Sequence, residues 1–417
     1  MQHVPRRRVS AMKIAIIGAG GAGLCAGRHC LDENVSVDIF EQTGNVGGTW
    51  NYTDSTGCDE NGVPIHSSMY KGLRTNLPKE LMAFEDFPYP DRQKSYLPQE
   101  DVLAYIRNYT EKFQIEPHIK FYKRVVEIEP RDDLWLVEIE DVKSKQKETG
   151  RYDAIIVCNG HYKDPFTPEI SGADNFAGRV RHSHDYRSPD CYKDKKVLIL
   201  GAGPSGLDIS QQVLAVAAKV YLSHKSKAVL PLPDSLEQKP LVTRLNGSRA
   251  FFEDGTSEEI DDILFCTGYN YTFPFLSSTC GVKIVDNYVH PLYKQIVSIE
   301  HPTLAFIGLP FTVCPFPLFD IQVRFFLSTL NGHFELPSKH DMLKELDEEI
   351  EKKSGVPVRK YHHLGVNQGC YFEDLAGTAR IKRVPPVINK LYLRVRMSRN
   401  LTDCFRIIND ESWEQVY

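Results

Sequence analysis

At 417 residues the chain exceeds one typical domain, so two or three are expected, and its ordinary globular composition supports a sizeable core. A net charge of −5 with acids and bases in balance excludes a general nucleic-acid or membrane-surface binder. Ten cysteines lack zinc-like CxxC spacing, and Cys25 and Cys30 sit five apart on a predicted helix, which is no metal pair; the pattern reads as reduced, buried thiols of a cytosolic protein.

The basic start "MQHVPRRRVSA" has no apolar core, and no run of about twenty apolar residues follows, so neither a signal peptide nor a membrane span is expected. Sequons such as Asn108-Tyr109-Thr110 then read as chance. "KIAIIG" (13–18) predicts a strand running into Gly18-x-Gly20-x-x-Gly23, then a helix, then the strand "VSVDIF" (35–40) ending at Glu41. In that context Gly18 permits the tight turn, Gly20 lets backbone approach a pyrophosphate, and Gly23 lets helix and strand pack closely. Glu41 stands where a carboxylate accepts hydrogen bonds from a ribose diol. "DAIIVCNG" (153–160) reads as a later parallel strand with a glycine turn at its end. "FAGRVRHSHDY" (176–186) then offers two histidines and an aspartate, an invitation to acid–base chemistry.

Next the first pattern recurs. "KVLIL" (196–200) leads into Gly201-x-Gly203-x-x-Gly206, the helix-like "LDISQQVLAVAA" (207–218) and the strand "VYLS" (220–223). "DDILFCTG" (261–268) repeats the form of "DAIIVCNG". The repetition predicts two Rossmann-type units. Counting 23 residues from the first glycine gives Glu41 in one unit and His224 in the other, where Ser223, Lys225 and Lys227 are close in sequence. A carboxylate there repels a 2′-phosphate; a hydroxyl and cations accept one. The first unit is therefore expected to bind FAD or NAD and the second NADP(H), unless "SHKSK" is a solvated turn. Ser205, Gly206 and Asp208 open the second helix, where N–H groups meet a pyrophosphate. The expected fold is α/β: an FAD-binding domain from 12–165 and 290–417, an NADP(H)-binding domain at 176–285 inserted in it, and linkers at 166–175 and 286–289.

These fingerprints, with five further stretches, resemble the flavin-containing monooxygenases over nearly the whole length. "FEQTGNVGGTW" (40–50) is similar to the family's FAD-lining stretch. "RTNLPKELMAFEDFPYP" (74–90) resembles the segment beside the flavin ring, and "FCTGY" (265–269) the linker Phe-Ala-Thr-Gly-Tyr with Cys266 in place of Ala. Phe176, Gly178, His182 and Tyr186 fit the identifier Phe-x-Gly-x-x-x-His-x-x-x-Tyr/Phe. "FDIQVRF" (319–325) resembles the segment whose glutamine approaches the isoalloxazine, here Gln322.

The resemblance implies FAD held by Gln42, Gly48, Thr49, Trp50, Thr75, Asn76, Leu77 and Gln322 beside the fingerprint. It implies hydride transfer from NADPH to flavin, addition of O2 at flavin C4a, and transfer of the distal oxygen from the hydroperoxide to a soft amine nitrogen or sulfide sulfur. Such chemistry needs a neutral polar group near C4a, and Asn76 matches the family's asparagine. Turn-capping before Pro78 is the plainer role for Asn76, core packing for Trp50, and a polar helix position for Gln322. His182 is expected to order the chain rather than move protons. The substrate is expected to be a small amine or sulfide, with insect alkaloid N-oxygenases the nearest subgroup, and a soluble cytoplasmic homo-oligomer is expected. A Baeyer–Villiger oxygenase is disfavoured by Tyr186, where its identifier ends in Trp. A disulfide reductase is disfavoured because Thr49-Trp50, not redox cysteines, follow Gly47-Gly48. A non-catalytic NADP(H) sensor would need no Asn76.

Overall fold

A computed structural model describes residues 12–90, 94–226, 230–397 and 400–416. Two compact units emerge. The first holds residues up to Asn51, Arg74–His161 and Tyr271 onward; the second holds Tyr52–Leu73 and Tyr162–Asn270.

In chain order the first unit supplies β1 (Lys13–Ile17), α1 (Gly21–Asp32), β2 (Ser36–Phe40), β3 (Ile119–Lys120) and β4 (Ala154–Val157). The second supplies β5 (Arg179–His182), β6 (Lys196–Leu200), α2 (Pro204–Leu214), β7 (Lys219–Ser223), β8 (Leu236–Lys239) and β9 (Asp262–Phe265). The first resumes with β10 (Leu304–Phe306) and α3 (Pro315–Leu330).

Parallel strands buried on both faces need unbroken apolar runs, and β1, β4, β6 and β9 are such runs. The first unit's parallel order is β3-β2-β1-β4-β10, extended by two short antiparallel strands; the second's is β8-β7-β6-β9-β5. The two sheets correspond strand for strand. Ile17 pairs with Phe40 and Val157, and Leu200 with Ser223 and Phe265. The Lys13 N–H donates to the Asp153 carboxylate at 2.8 Å, and the Lys196 N–H to that of Asp261 at 2.8 Å. Alternate residues divide between two cores. Ile14 and Ile16 face the helical layer, as do Val197 and Ile199, whereas Ala15 and Ile17, like Leu198 and Leu200, face an antiparallel three-stranded layer. Those layers are 123–152 in the first unit and 242–259 in the second.

The domain limits differ from the sequence expectation at three places, for packing reasons. Tyr271, Phe275 and Cys280 enter the first unit's core, so that unit resumes at 271 rather than 290, and Val289 of the expected 286–289 linker packs there too. Ile170 and Ala173 pack in the second unit, where Asp164–Pro165 pair with Tyr269–Asn270, so 166–175 is not a free linker. Residues 52–73 belong to the second unit, with Tyr70 in its core. The helix expected over 207–218 ends at Leu214, because the Ala218 N–H turns to the Lys195 carbonyl and leads into β7. Among the described residues no helix is long and apolar enough to cross a membrane.

Candidate functional site

The first glycine turn is built by backbone contact. Gly18 has φ +104°, and a Cβ there would stand 2.7 Å from the Cys158 carbonyl; Gly201 has φ +105° and the same relation to Cys266 at 2.6 Å. A Cβ on Gly23 would overlap the Gly18 carbonyl oxygen, and one on Gly206 that of Gly201. These glycines let α1 and α2 start directly over the strand ends. Gly20 and Gly203 are the N-caps and provide no side-chain acceptor, so each helix opens on uncapped N–H groups, a natural anion seat. In the first unit the turn Gly48–Trp50 lies against this seat. The Gly47 N–H donates to the Ala19 carbonyl at 2.9 Å, and a Cβ on Gly48 would come 3.1 Å from the Gly20 Cα. This cradle suits a pyrophosphate that must touch backbone. Trp50 packs on the core, and Gln42 and Thr49 are partly buried at its margin.

Glu41 is 8% exposed. Its Oε2 accepts from the Ala19 N–H at 3.0 Å and its Oε1 from the Thr43 N–H and hydroxyl, both at 2.9 Å. Burial pushes the carboxyl above its ordinary range, opposed by those donors. The group is thereby fixed at the end of β2. His224 occupies the equivalent place: the Glu41 N–H donates to the Lys120 carbonyl and the His224 N–H to that of Lys239, each at 3.1 Å.

Asn76 is exposed, and among the described residues its side-chain amide has no partner. Its neighbours are held instead. The Thr75 N–H donates to the Leu97 carbonyl at 2.8 Å, the Thr75 hydroxyl oxygen accepts from the Leu97 N–H at 3.0 Å, and Leu77 packs on the core. The turn-capping role for Asn76 is therefore not used, whereas Thr75 is a structural pin. Gln322 corrects the sequence expectation. It is fully buried, its Oε1 accepts from the Gly308 N–H at 2.9 Å, and its Nε2 donates to the Tyr371 hydroxyl at 2.8 Å. Its amide secures the chain after β10 and does not reach an open surface.

In the second unit Gly203 and Pro204 are exposed, Ser205 is partly so, and Gly206 is buried under them. Asp208 accepts from the Tyr70 hydroxyl at 2.7 Å, so this carboxylate anchors residues 52–73 beside the helix start. Ser223 is a second correction: it is 1% exposed, and its hydroxyl donates to the Pro240 carbonyl at 2.8 Å, so it offers nothing outward. His224 is also buried and contacts Gln238 at 3.1 Å. Lys225 is exposed there and has no partner among the described residues; Lys227 lies outside them.

The stretch 176–186 organises structure. β5 is the edge strand of the second sheet. The His182 Nδ1 accepts from the His184 N–H at 3.0 Å, and its ring meets Tyr269 edge-on at 5.1 Å. Burial pushes His182 down to about 4, with the Gly268 backbone pulling the other way, so it is neutral at physiological pH. The His184 Nε2–H donates to the Ile65 carbonyl at 3.1 Å. Tyr186 packs edge-on against Tyr70 at 5.3 Å. Arg187, which sequence reasoning missed, completes the clamp. Its guanidinium donates to the carbonyls of His184 (2.8 Å), Tyr186 (3.0 Å), Ser55 (3.0 Å) and Ser67 (3.2 Å). An arginine adjoining a motif gives no spacing signal for the carbonyls of Ser55 and Ser67, 132 and 120 residues before it. Arg187→Ala is expected to raise proteolytic cleavage within 55–67 by about ten-fold, since several buried carbonyls lose their donor; an unchanged cleavage rate would remove the clamp.

Among the described residues Cys25, His29 and Asp320 bring potential metal-ligand atoms within 4.8 Å of one another. Asp320 already holds His29 at 2.7 Å and Arg324 at 2.6 Å, and burial keeps the Cys25 thiol protonated, so the donor set suits an ion pair better than a metal.

Two glycine turns of dinucleotide-binding form thus lie on one chain, with an exposed asparagine after the first. The chain belongs to the flavin-binding monooxygenase-like family, whose model matches residues 11–231 and 232–401, and it is a flavin monooxygenase. It is 32% identical to senecionine N-oxygenase of Tyria jacobaeae, over 98% of this chain and 92% of that protein. It is 35% identical to the flavin-containing monooxygenase FMO GS-OX5 of Arabidopsis thaliana, over 89% and 85%. The solved S-allyl-L-cysteine S-oxygenase of Allium sativum superposes with a TM-score of 0.87 at 32% identity, covering 93% of each chain. The family implies use of flavin and NADP.

Proposed function

We propose that the protein uses NADPH and O2 to oxygenate a soft nucleophile, with FAD on the first unit, NADP(H) on the second, and the nitrogen of a tertiary amine as preferred acceptor. The observation that carries this reading is the exposed Asn76 amide, which presents one acceptor and two donor hydrogens and no titratable proton. FAD, when bound, supplies O2 activation and oxygen transfer. The protein's part is to seat the pyrophosphate on the N–H groups of α1, hold the ribose at Glu41, and orient reactants at Asn76 without trading a proton. His182, kept neutral and turned into the fold, is a positioning residue. Likeness to an N-oxygenase over nearly the full length supports nitrogen; likeness to the garlic enzyme supports sulfur as the second reading. NADPH consumption with product identification across trialkylamines, alkaloid tertiary amines, sulfides and cyclic ketones tests both. Lactone from the ketones without N-oxide or sulfoxide would overturn them.

Among the described residues cofactor choice narrows to Lys225, because Ser223 and His224 turn inward. Lys225→Ala is expected to raise KM for NADPH about ten-fold, the worth of a charge-assisted phosphate contact, and to leave KM for NADH unchanged. Equal shifts for both would show that Lys225 does not read the 2′-phosphate.

A further inference from the structure

Asn76 stands on a turn tied at both ends to one neighbouring stretch of chain. Before it, Thr75 is bonded to Leu97 through backbone and hydroxyl; after it, the Lys79 N–H donates to the Ser95 carbonyl at 2.7 Å. Arg74 adds an antiparallel bridge to Pro98. Residues 95–98 are the frame on which the turn hangs, so the place of the Asn76 amide depends on where that frame lies.

Ser95 fixes the frame. It is 1% exposed. Its hydroxyl oxygen accepts from the Phe405 N–H at 2.8 Å, a bond spanning 310 residues, and its hydroxyl donates to Glu80 Oε1 at 3.1 Å. A backbone N–H can only donate, so the hydroxyl hydrogen is left for the carboxylate. The Lys79 ammonium meets the same Oε1 at 3.0 Å. One hydroxyl thereby joins the strand Cys404–Asn409 to the residues that follow the turn. That strand is itself anchored. Phe405 is buried in the core and meets Trp413 edge-on at 5.6 Å, and the Val387 N–H donates to the Asp410 carbonyl at 2.8 Å. Packing alone does not seal the strand to the turn, because a cavity of about 420 Å³ has Lys79, Glu80, Phe405 and Ile407 in its lining.

We infer that Ser95 is a positioning residue for the oxygenation, through which the hairpin 404–416 holds the turn that presents Asn76. This role rests on the one proposed for Asn76. Ser95 touches no reactant; it narrows the poses the turn can take. Without its hydroxyl the buried Phe405 N–H loses its acceptor and Glu80 loses a donor, and other poses of the turn gain population. A small misplacement of a reacting group is enough to lose rate.

The test uses the full-length, flavin-loaded enzyme with a trialkylamine, and reads product formed and hydrogen peroxide released per NADPH consumed. Ser95→Ala is expected to lower the product ratio by about five- to ten-fold, the worth of one buried hydrogen bond, with peroxide making up the difference. Anaerobic flavin reduction by NADPH is expected to stay unchanged, which a general loosening of the fold would not allow. Ser95→Thr, which keeps the hydroxyl, is expected to retain the wild-type ratio. Ser95→Cys keeps the volume with a weak donor and carries the test if the alanine variant loses flavin. Added to Asn76→Ala, Ser95→Ala is expected to lower the ratio no further. A wild-type ratio in both Ser95→Ala and Ser95→Cys, an equal loss in Ser95→Thr, or the same proportional loss with and without Asn76 would overturn the role of Ser95 alone. A wild-type ratio in Asn76→Ala would instead overturn the reading of Asn76, and the role of Ser95 with it.

Discussion

Asn76→Ala is expected to retain its flavin and to lose oxygenated product by about 10²–10³-fold, the range for removing one preorganised hydrogen-bonding group from a reaction centre. The structure makes this a clean substitution. Asn76 is exposed and bonds to none of the described residues, while Thr75 and Leu77 hold the backbone on either side. Stability should therefore move by no more than about 0.5 kcal/mol. NADPH oxidation should continue, with its reducing equivalents recovered as hydrogen peroxide rather than product. Asn76→Asp should fail in the same way while keeping the side-chain shape, because it replaces the amide N–H donors with a negative charge. The ratio of product formed to NADPH consumed is the measurement. A wild-type ratio in either variant would take Asn76 out of the reaction.

Gly23→Ala and Gly206→Ala should separate the two cofactors. A Cβ at either position overlaps a backbone carbonyl, of Gly18 or of Gly201, and lies 3.5 or 3.4 Å from the Cβ of Cys158 or Cys266 behind it. No flexible side chain can give way, so the helix must lift from its strand, and overpacking of this kind costs about 1–3 kcal/mol or more. Gly23→Ala is expected to purify largely without flavin. Gly206→Ala is expected to stay yellow and to need at least about ten-fold more NADPH for half-maximal flavin reduction, since every 1.4 kcal/mol is a factor of ten. Flavin absorbance after gel filtration and anaerobic reduction by NADPH decide it. Loss of flavin from Gly206→Ala with retention in Gly23→Ala would reverse the assignment of the two units.

The parallel sheets were legible because glycine spacing and apolar runs encode them directly: a strand buried on both faces can hardly be written otherwise, and the repeated acid at Asp153 and Asp261 marks the same register in both units. The three-stranded layers were not. Their strands mix exposed and buried residues, as in "KRVVEIEPR", and their pairing depends on turns of ordinary composition. Ser223 and Gln322 show the limit at side-chain level. Their type and position fitted a ligand contact, yet Pro240 in one case and Gly308 with Tyr371 in the other already use their hydrogen bonds. Spacing along a chain gives a residue's address but not which neighbour claims its polar atoms. Asn76 and Lys225 remain candidates because no described residue claims theirs.

The membership of residues 52–73 also bears on how the chain comes into being. This segment leaves the ribosome soon after the first glycine turn, yet the groups that hold it are made much later: Asp208 follows Tyr70 by 138 residues, and Arg187 follows Ser55 by 132. During synthesis it stands without these later partners while Arg74–His161 is laid down after it. The first unit is itself incomplete until β10 arrives. Both halves of the protein thus mature late and nearly together, and a nascent chain halted before residue 208 would carry its first fingerprint with neither unit closed.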